Sequence, residues 1–324
     1  MKKLLPFVLL ALLAVPAGAA DPFAHTYSIV ARDPVTGDLG VAVQSHWFQV
    51  GAMVAWAEAG VGAVATQSFV EPAYGPRGLA AMRAGRSARE ALDGLLAADP
   101  QRAVRQVAMV DAAGRVAAWT GERCVAAAGH LTGEGFSVQA NMMERDTVWA
   151  AMAKAYRETK GDLAARLLAA LAAAEAEGGD IRGRQSAALL VVRAEPTGVP
   201  GHDTIVDLRV DDHPAPLVEL ARLLGVHRAY EEMNRGDEAF AANEVTRALA
   251  HYTRAQELAP EIVELPFWQA VTLFAAGEEE QALPIFARVF AAEERWRELV
   301  RRLPAAGLLP DDPEKLEKIL HAAP

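Results

Sequence analysis

The stretch that most restricts what this chain can become runs from His25 to Val50. Two apolar runs with β-branched residues, Thr26 to Arg32 and Leu39 to Ser45, flank Asp33-Pro34-Val35-Thr36-Gly37-Asp38, where Pro fixes one φ and Gly supplies a positive one. This is the pattern of a β-hairpin. Its first strand opens on Thr26, and antiparallel pairing returns Gln44, Ser45 and His46 toward that end. A hydroxyl at the mouth of a sheet with polar side chains beside it suits nucleophilic acyl transfer.

Further along, Met53 to Glu58 and Val61 to Ser68 read as strands, and Leu79 to Arg83 as a helix. The capping box Ser87-x-x-Glu90 opens another helix to about Ala97. Arg105 to Val110 and Arg115 to Thr120 flank Asp111-Ala112-Ala113-Gly114, a second hairpin, and Gly135 to Met142 is a further strand. Helices follow over Thr147 to Thr159 and Leu163 to Glu177, the latter capped by Asp162, before strands at Ser186 to Arg193 and Thr204 to Val210. Blocks of strands separated by paired helices fit an α+β fold of two face-packed sheets, each covered on its outside, better than a doubly wound parallel sheet.

From Pro214 the chain turns to helix formers and repeats at the 34-residue spacing of tetratricopeptide repeats: Asn243, Ala248, Tyr252 and Ala255 answer to Gly277, Ala282, Phe286 and Val289. In such a repeat Ala packs between paired helices, an aromatic fills the next gap, and Asn or Gly takes the left-handed turn. Gly236 and Pro260 also sit at expected repeat positions.

At the start, Lys2 and Lys3, the apolar run Leu4 to Val15 and the small residues Pro16 to Ala20 read as a cleaved secretory signal. The expected division is a signal peptide over 1–20, a sandwich over 21–213 and an all-α tetratricopeptide-like domain over 214–324, in a periplasmic or secreted protein with no membrane span after signal cleavage. A net charge of −10 argues against a nucleic-acid partner. The single cysteine, Cys124, rules out an intramolecular disulfide.

The blocks Thr26-Tyr-Ser-Ile-Val-Ala-Arg-Asp-Pro, Gly40-Val-Ala-Val-Gln-Ser, Trp56-Ala-Glu-Ala-Gly-Val-Gly-Ala-Val-Ala-Thr-Gln, Tyr74-Gly-Pro-Arg-Gly and Gly183-Arg-Gln-Ser-Ala-Ala-Leu together resemble domain-of-unknown-function family 1028 over about residues 25–213. That family is assigned to the N-terminal nucleophile (Ntn) hydrolases. The resemblance implies a four-layer αββα sandwich and, through its C-terminal helical region, peptidoglycan binding. It also implies catalysis by the first residue of the mature chain, whose own α-amine is the base. Thr26 is the matching position. Signal cleavage after Ala19 or Ala20 leaves Thr26 preceded by several residues, so the chemistry requires a further cut of the His25-Thr26 bond. The lysine that proteasome-like relatives carry on a following strand has no counterpart in Met53 to Glu58.

The candidate catalytic residues are therefore Thr26 as nucleophile, Ser45 and His46 to position or deprotonate it, and Asn141 as an oxyanion donor. Each has a plainer alternative: a strand-opening Thr, a hydrogen-bonded strand end, an Asn satisfying a turn. Arg184 and Gln185 can hold a substrate carboxylate or pair with Asp180 or Asp211. Glu58 is either a perturbed carboxylate at the substrate or a solvated strand end. The eight histidines, His130, His202 and His213 among them, show no ligand spacing, so neither a metal nor another cofactor is expected. Phe267, Trp268 and Trp296 line a groove or fill a core. The function expected is cleavage of a small amide or peptide substrate. The competing reading is a non-catalytic envelope scaffold that binds protein or peptidoglycan through 214–324, and association into a homodimer is a further expectation.

Overall fold

The computed structural model describes residues 23–24, 26–199 and 201–322; the signal reading over 1–20 and the His25-Thr26 bond lie outside them. The chain divides between Pro216 and Leu217 into two compact units.

The first unit holds β1 (Phe23–Ala24), β2 (Thr26–Arg32), β3 (Leu39–Ser45), α1 (Val50–Val54), β4 (Ala55–Glu58), β5 (Gly62–Phe69), α2 (Tyr74–Arg83) and α3 (Ala88–Ala98). It continues with β6 (Arg105–Asp111), β7 (Val116–Thr120), β8 (Gly129–Gly133), β9 (Phe136–Ala140), α4 (Val148–Glu158), α5 (Leu163–Ala176), β10 (Ser186–Val192) and β11 (Thr204–Val210). The strands form two antiparallel sheets. One has the order β1-β5-β6-β7 with β4 also on β5; the other has the order β11-β10-β3-β2-β9-β8.

The β2–β3 hairpin forms as its turn residues dictate. Asp33 Oδ1 accepts from the Val35 and Thr36 amides at 2.8 and 3.0 Å, and Gly37 takes φ 81°. Strand alternation then sends Val30, Leu39, Val41 and Val43 against Ala63, Ala65, Ala108 and Val110 of the other sheet. Each large aliphatic side chain buried there stabilises the fold by about 1.5–3 kcal/mol relative to exposure. On the outer face of the first sheet, Leu79, Met82, Leu92 and Leu96 of α2 and α3 pack on Val64, Val107 and Met109. On the outer face of the second, α5 packs on β2, β3 and β10, and α4 on β8 and β9.

Two readings need correction. Met53 and Val54 belong to α1 instead of a strand, which begins only at Ala55. Alanine, methionine and valine leave the local choice open, and burial of Val50 and Val54 in the inter-sheet core decides it. Strand β8, Gly-His-Leu-Thr-Gly, was not foreseen, because it has glycine at both ends and no continuous apolar face.

The second unit is helical: α6 (Pro216–Ala241) leads into it, followed by α7 (Val245–Leu258), α8 (Glu264–Ala275), α9 (Glu279–Ala292), α10 (Trp296–Arg302) and α11 (Pro313–Leu320). Asn243 and Gly277 both take left-handed φ, 61° and 86°. The matched pairs Ala248 and Ala282, Tyr252 and Phe286, and Ala255 and Val289 are all buried. Phe267 is a core ring, in contact with Trp268, Phe286 and Trp296 at centroid distances of 5.1, 6.0 and 4.5 Å. No helix among the described residues is long and apolar enough to cross a membrane.

Candidate active site

The space between the sheets has two halves. One is the aliphatic core just described; the other, at the end where β2 begins, is polar. Thr26 pairs with Ser45 across the hairpin, and its Oγ1 donates to Ser45 Oγ at 3.2 Å. Both side chains are fully buried, as are Ser28, Gln67, Gln106, Ser137, Gln139 and Asn141 around them.

Buried amides are costly unless satisfied, and these satisfy one another across the sheets. Gln67 on β5 donates through Nε2 to the Thr26 carbonyl at 3.0 Å and to Gln106 Oε1 at 2.7 Å. Asn141, just past β9, donates to the same Thr26 carbonyl from its backbone at 3.1 Å and its Nδ2 at 3.3 Å, and to Gln106 Oε1 at 2.9 Å. Ser28 donates to Gln67 Oε1 at 2.5 Å and accepts from Gln139 Nε2 at 2.6 Å. Gln106 Nε2 donates to Thr120 Oγ1 at 2.9 Å, and that hydroxyl meets His130 Nδ1 at 2.8 Å. A line of hydrogen bonds thus runs from an exposed imidazole to the Thr26 carbonyl.

The two residues whose amides converge on that carbonyl are each followed by a non-glycine residue in the left-handed region, Ser68 at φ 74° and Met142 at φ 58°. Such backbone costs about 1–3 kcal/mol and clusters where function constrains the chain.

Outside this layer the expected residues separate. His46 bonds elsewhere: its ring Nδ1 lies 3.3 Å from the Arg184 carbonyl, and its amide donates to Asp180 at 3.1 Å. Arg184 pairs with Glu175, and Gln185 donates to Asp212 at 3.2 Å, so neither takes the Asp180 or Asp211 partner expected. Asp180 is bound by Arg182 instead. Glu175 also accepts from Tyr27 on the helix-facing side of β2, and burial, reinforced by that carboxylate, raises the tyrosine pKa well above its ordinary value. Glu58 forms an ion pair with Arg83 beside Gly62. That is five residues along β5 from Gln67, roughly 17 Å, so Glu58 takes no part in the Thr26 layer. Cys124 donates weakly to the Arg105 carbonyl at 3.4 Å, and burial raises its pKa.

Ser28, Gln67, Gln106 and Gln139 were not foreseen. The signal available was a glutamine at the inward register of two otherwise apolar strands, Val-Ala-Thr-Gln and Gln-Val-Ala-Met-Val. Among the described residues, no group of three or more His, Cys, Asp or Glu side chains is placed to hold a metal.

The model of a family described as "Family of unknown function (DUF1028)" matches residues 26–220. Among solved structures, the chain is similar to protein SPO2555 from Silicibacter pomeroyi, described with the same family. The two are 33% identical with a TM-score of 0.56, over 62% of this chain and 88% of that one. No curated protein matches.

Proposed function

We propose that this chain, which belongs to the DUF1028 family, is an exported amidohydrolase of the N-terminal-nucleophile kind, with Thr26 as nucleophile once the bond before it is cut. We read the first unit as a four-layer αββα sandwich over 21–213 and the second as a tetratricopeptide-like docking domain over 214–324. The observation that carries the reading is the placement of Thr26. It heads a central strand, its hydroxyl meets Ser45, and three N–H donors from Gln67 and Asn141 hold its carbonyl.

The chemistry runs in two stages. First, Thr26 Oγ1 attacks the carbonyl carbon of His25; the peptide C–N bond breaks, an ester forms on the oxygen, and the nitrogen gains the hydroxyl proton. Water then hydrolyses the ester, leaving a carboxylate on His25 and restoring the hydroxyl. The freed amine, with a pKa near 8, is the base for the second stage. It takes the Thr26 proton as Oγ1 attacks a substrate amide and returns it to the departing amine, and water releases the acyl group. Ser45 orients the hydroxyl. The pinned carbonyl stops Thr26 from rotating as its nitrogen changes from amide to amine, which keeps hydroxyl and amine aimed at one carbon.

The test is hydrolysis of a panel of peptide anilides by exported wild-type, Thr26→Ser and Thr26→Ala proteins. The account expects activity in the first two and only background in the third; equal turnover by Thr26→Ala contradicts it.

One observation favours a second reading. Thr26 is fully buried and its hydroxyl already partnered, as suits a sandwich kept as a scaffold with binding left to the helical unit. Retention of the full protein on purified peptidoglycan, alongside an inactive wild type, is the outcome that reading expects.

A further inference from the structure

The edge of β5 is shared by two partners. β4 covers it from Gly62 to Ala65, and β1 covers it at Ser68 and Phe69, with Ala24 opposite Ser68 and Phe23 opposite Phe69. β1 is part of the segment that the Thr26 reaction would detach. The peptide leading into the cut bond is therefore laid as an antiparallel strand on a sheet edge whose preceding residue, Gln67, reaches the Thr26 carbonyl. A second feature marks the same place. Ser68 is fully buried and its backbone left-handed, yet among the described residues its hydroxyl makes no well-formed hydrogen bond. It interacts weakly with the Cys124 thiol, whose pKa it lowers against the rise that burial gives. A buried hydroxyl without a good hydrogen bond costs up to about 1–3 kcal/mol, which a bound polar group would recover.

We propose that the β5 edge at Ser68–Phe69 is the acyl-side subsite of the Thr26 centre. It receives the residues before the scissile bond of a peptide substrate as a short antiparallel strand, in the register held by Phe23–Ala24, with Ser68 meeting a small polar side chain directly opposite. This rests on the reading of Thr26 as nucleophile and names its substrate class: peptides, extended before the cut bond. Backbone pairing supplies the affinity, as in other strand-addition complexes. One of two adjacent antiparallel pairs exchanges both ladder hydrogen bonds, so a substrate proline at the donating position is excluded.

The test separates binding from hydrolysis. Full-length Thr26→Ala protein, cut before residue 26 at an introduced protease site, is titrated with the free peptide Asp-Pro-Phe-Ala-His, the sequence of residues 21–25. The same peptide N-methylated at Phe and Ala serves as control. Saturable binding, slowed hydrogen exchange at Ser68 and Phe69, and a loss of roughly tenfold on methylation are expected. A peptide with serine in place of the alanine should bind several-fold tighter, and Ser68→Ala should erase that difference without lowering the thermal midpoint. Absent binding, equal affinity of methylated and unmethylated peptides, or protection elsewhere overturns the subsite. Because this protein has no nucleophile, inactivity of the wild type would sink the catalytic reading while leaving a positive binding result intact.

Discussion

Removing the Gln67 amide takes one partner each from the Thr26 carbonyl, Gln106 Oε1 and the Ser28 hydroxyl, in a place without solvent access. Gln67→Ala is expected to cost about 3 kcal/mol, the desolvation left uncompensated on those groups, seen as a lower urea midpoint. Gln67→Glu should cost more, since it buries a charge among neutral amides. Asp99 provides a second test at this scale. Burial works to raise its pKa, but Arg105 at 2.9 Å and the Gln101 amide hold it below the ordinary carboxylate value. The unfolded chain therefore binds a proton there more readily than the folded one. The contribution is complete above the unfolded value near 4 and lost as pH falls through the folded one. Urea melts across that range should show Asp99→Asn less stable near neutrality, with a flatter acid limb.

Among the elements, Gly236 inside α6 shows how magnitudes settle a competition. Alanine there would gain up to about 1 kcal/mol of helix propensity, but its Cβ would lie 2.6 Å from the Tyr252 ring. That ring is tethered to Asp237 and Thr272 and cannot retreat cheaply. Gly236→Ala is expected to destabilise by about 1–2 kcal/mol net and to lower the melting temperature. Elements whose signals are local were legible: the Gly37 turn, the Ser87 capping box, the Asp162 cap and the Asn243 and Gly277 turns each rest on one residue type in one conformation. Features set by distant partners were not. Gln67 and Gln106 stand at the inward register of two apolar strands, but only the stacking of the two sheets joins them to each other and Gln67 to the Thr26 carbonyl. Thr26 and Ser45 were found together because a tight turn fixes their register. His46 lies just past the end of β3 and bonds to the Asp180–Arg184 segment, a partner that no local signal in the sequence announces.

At the scale of the whole molecule, the helical unit has its own core, centred on Phe267, Phe274, Phe286 and Phe290. Calorimetry of the full protein should therefore resolve two transitions, with Phe286→Ala lowering only one, by about 3–5 kcal/mol of stability. The central claim concerns the other unit and needs one covalent event, the cut before Thr26. Intact mass with N-terminal sequencing of the exported protein tests it most directly. The account predicts a mature chain that begins at Thr26, and a Thr26→Ala protein that retains the preceding residues. A wild-type chain that begins at Ala20 or Asp21 and hydrolyses amides as well as its Thr26→Ala variant would contradict it.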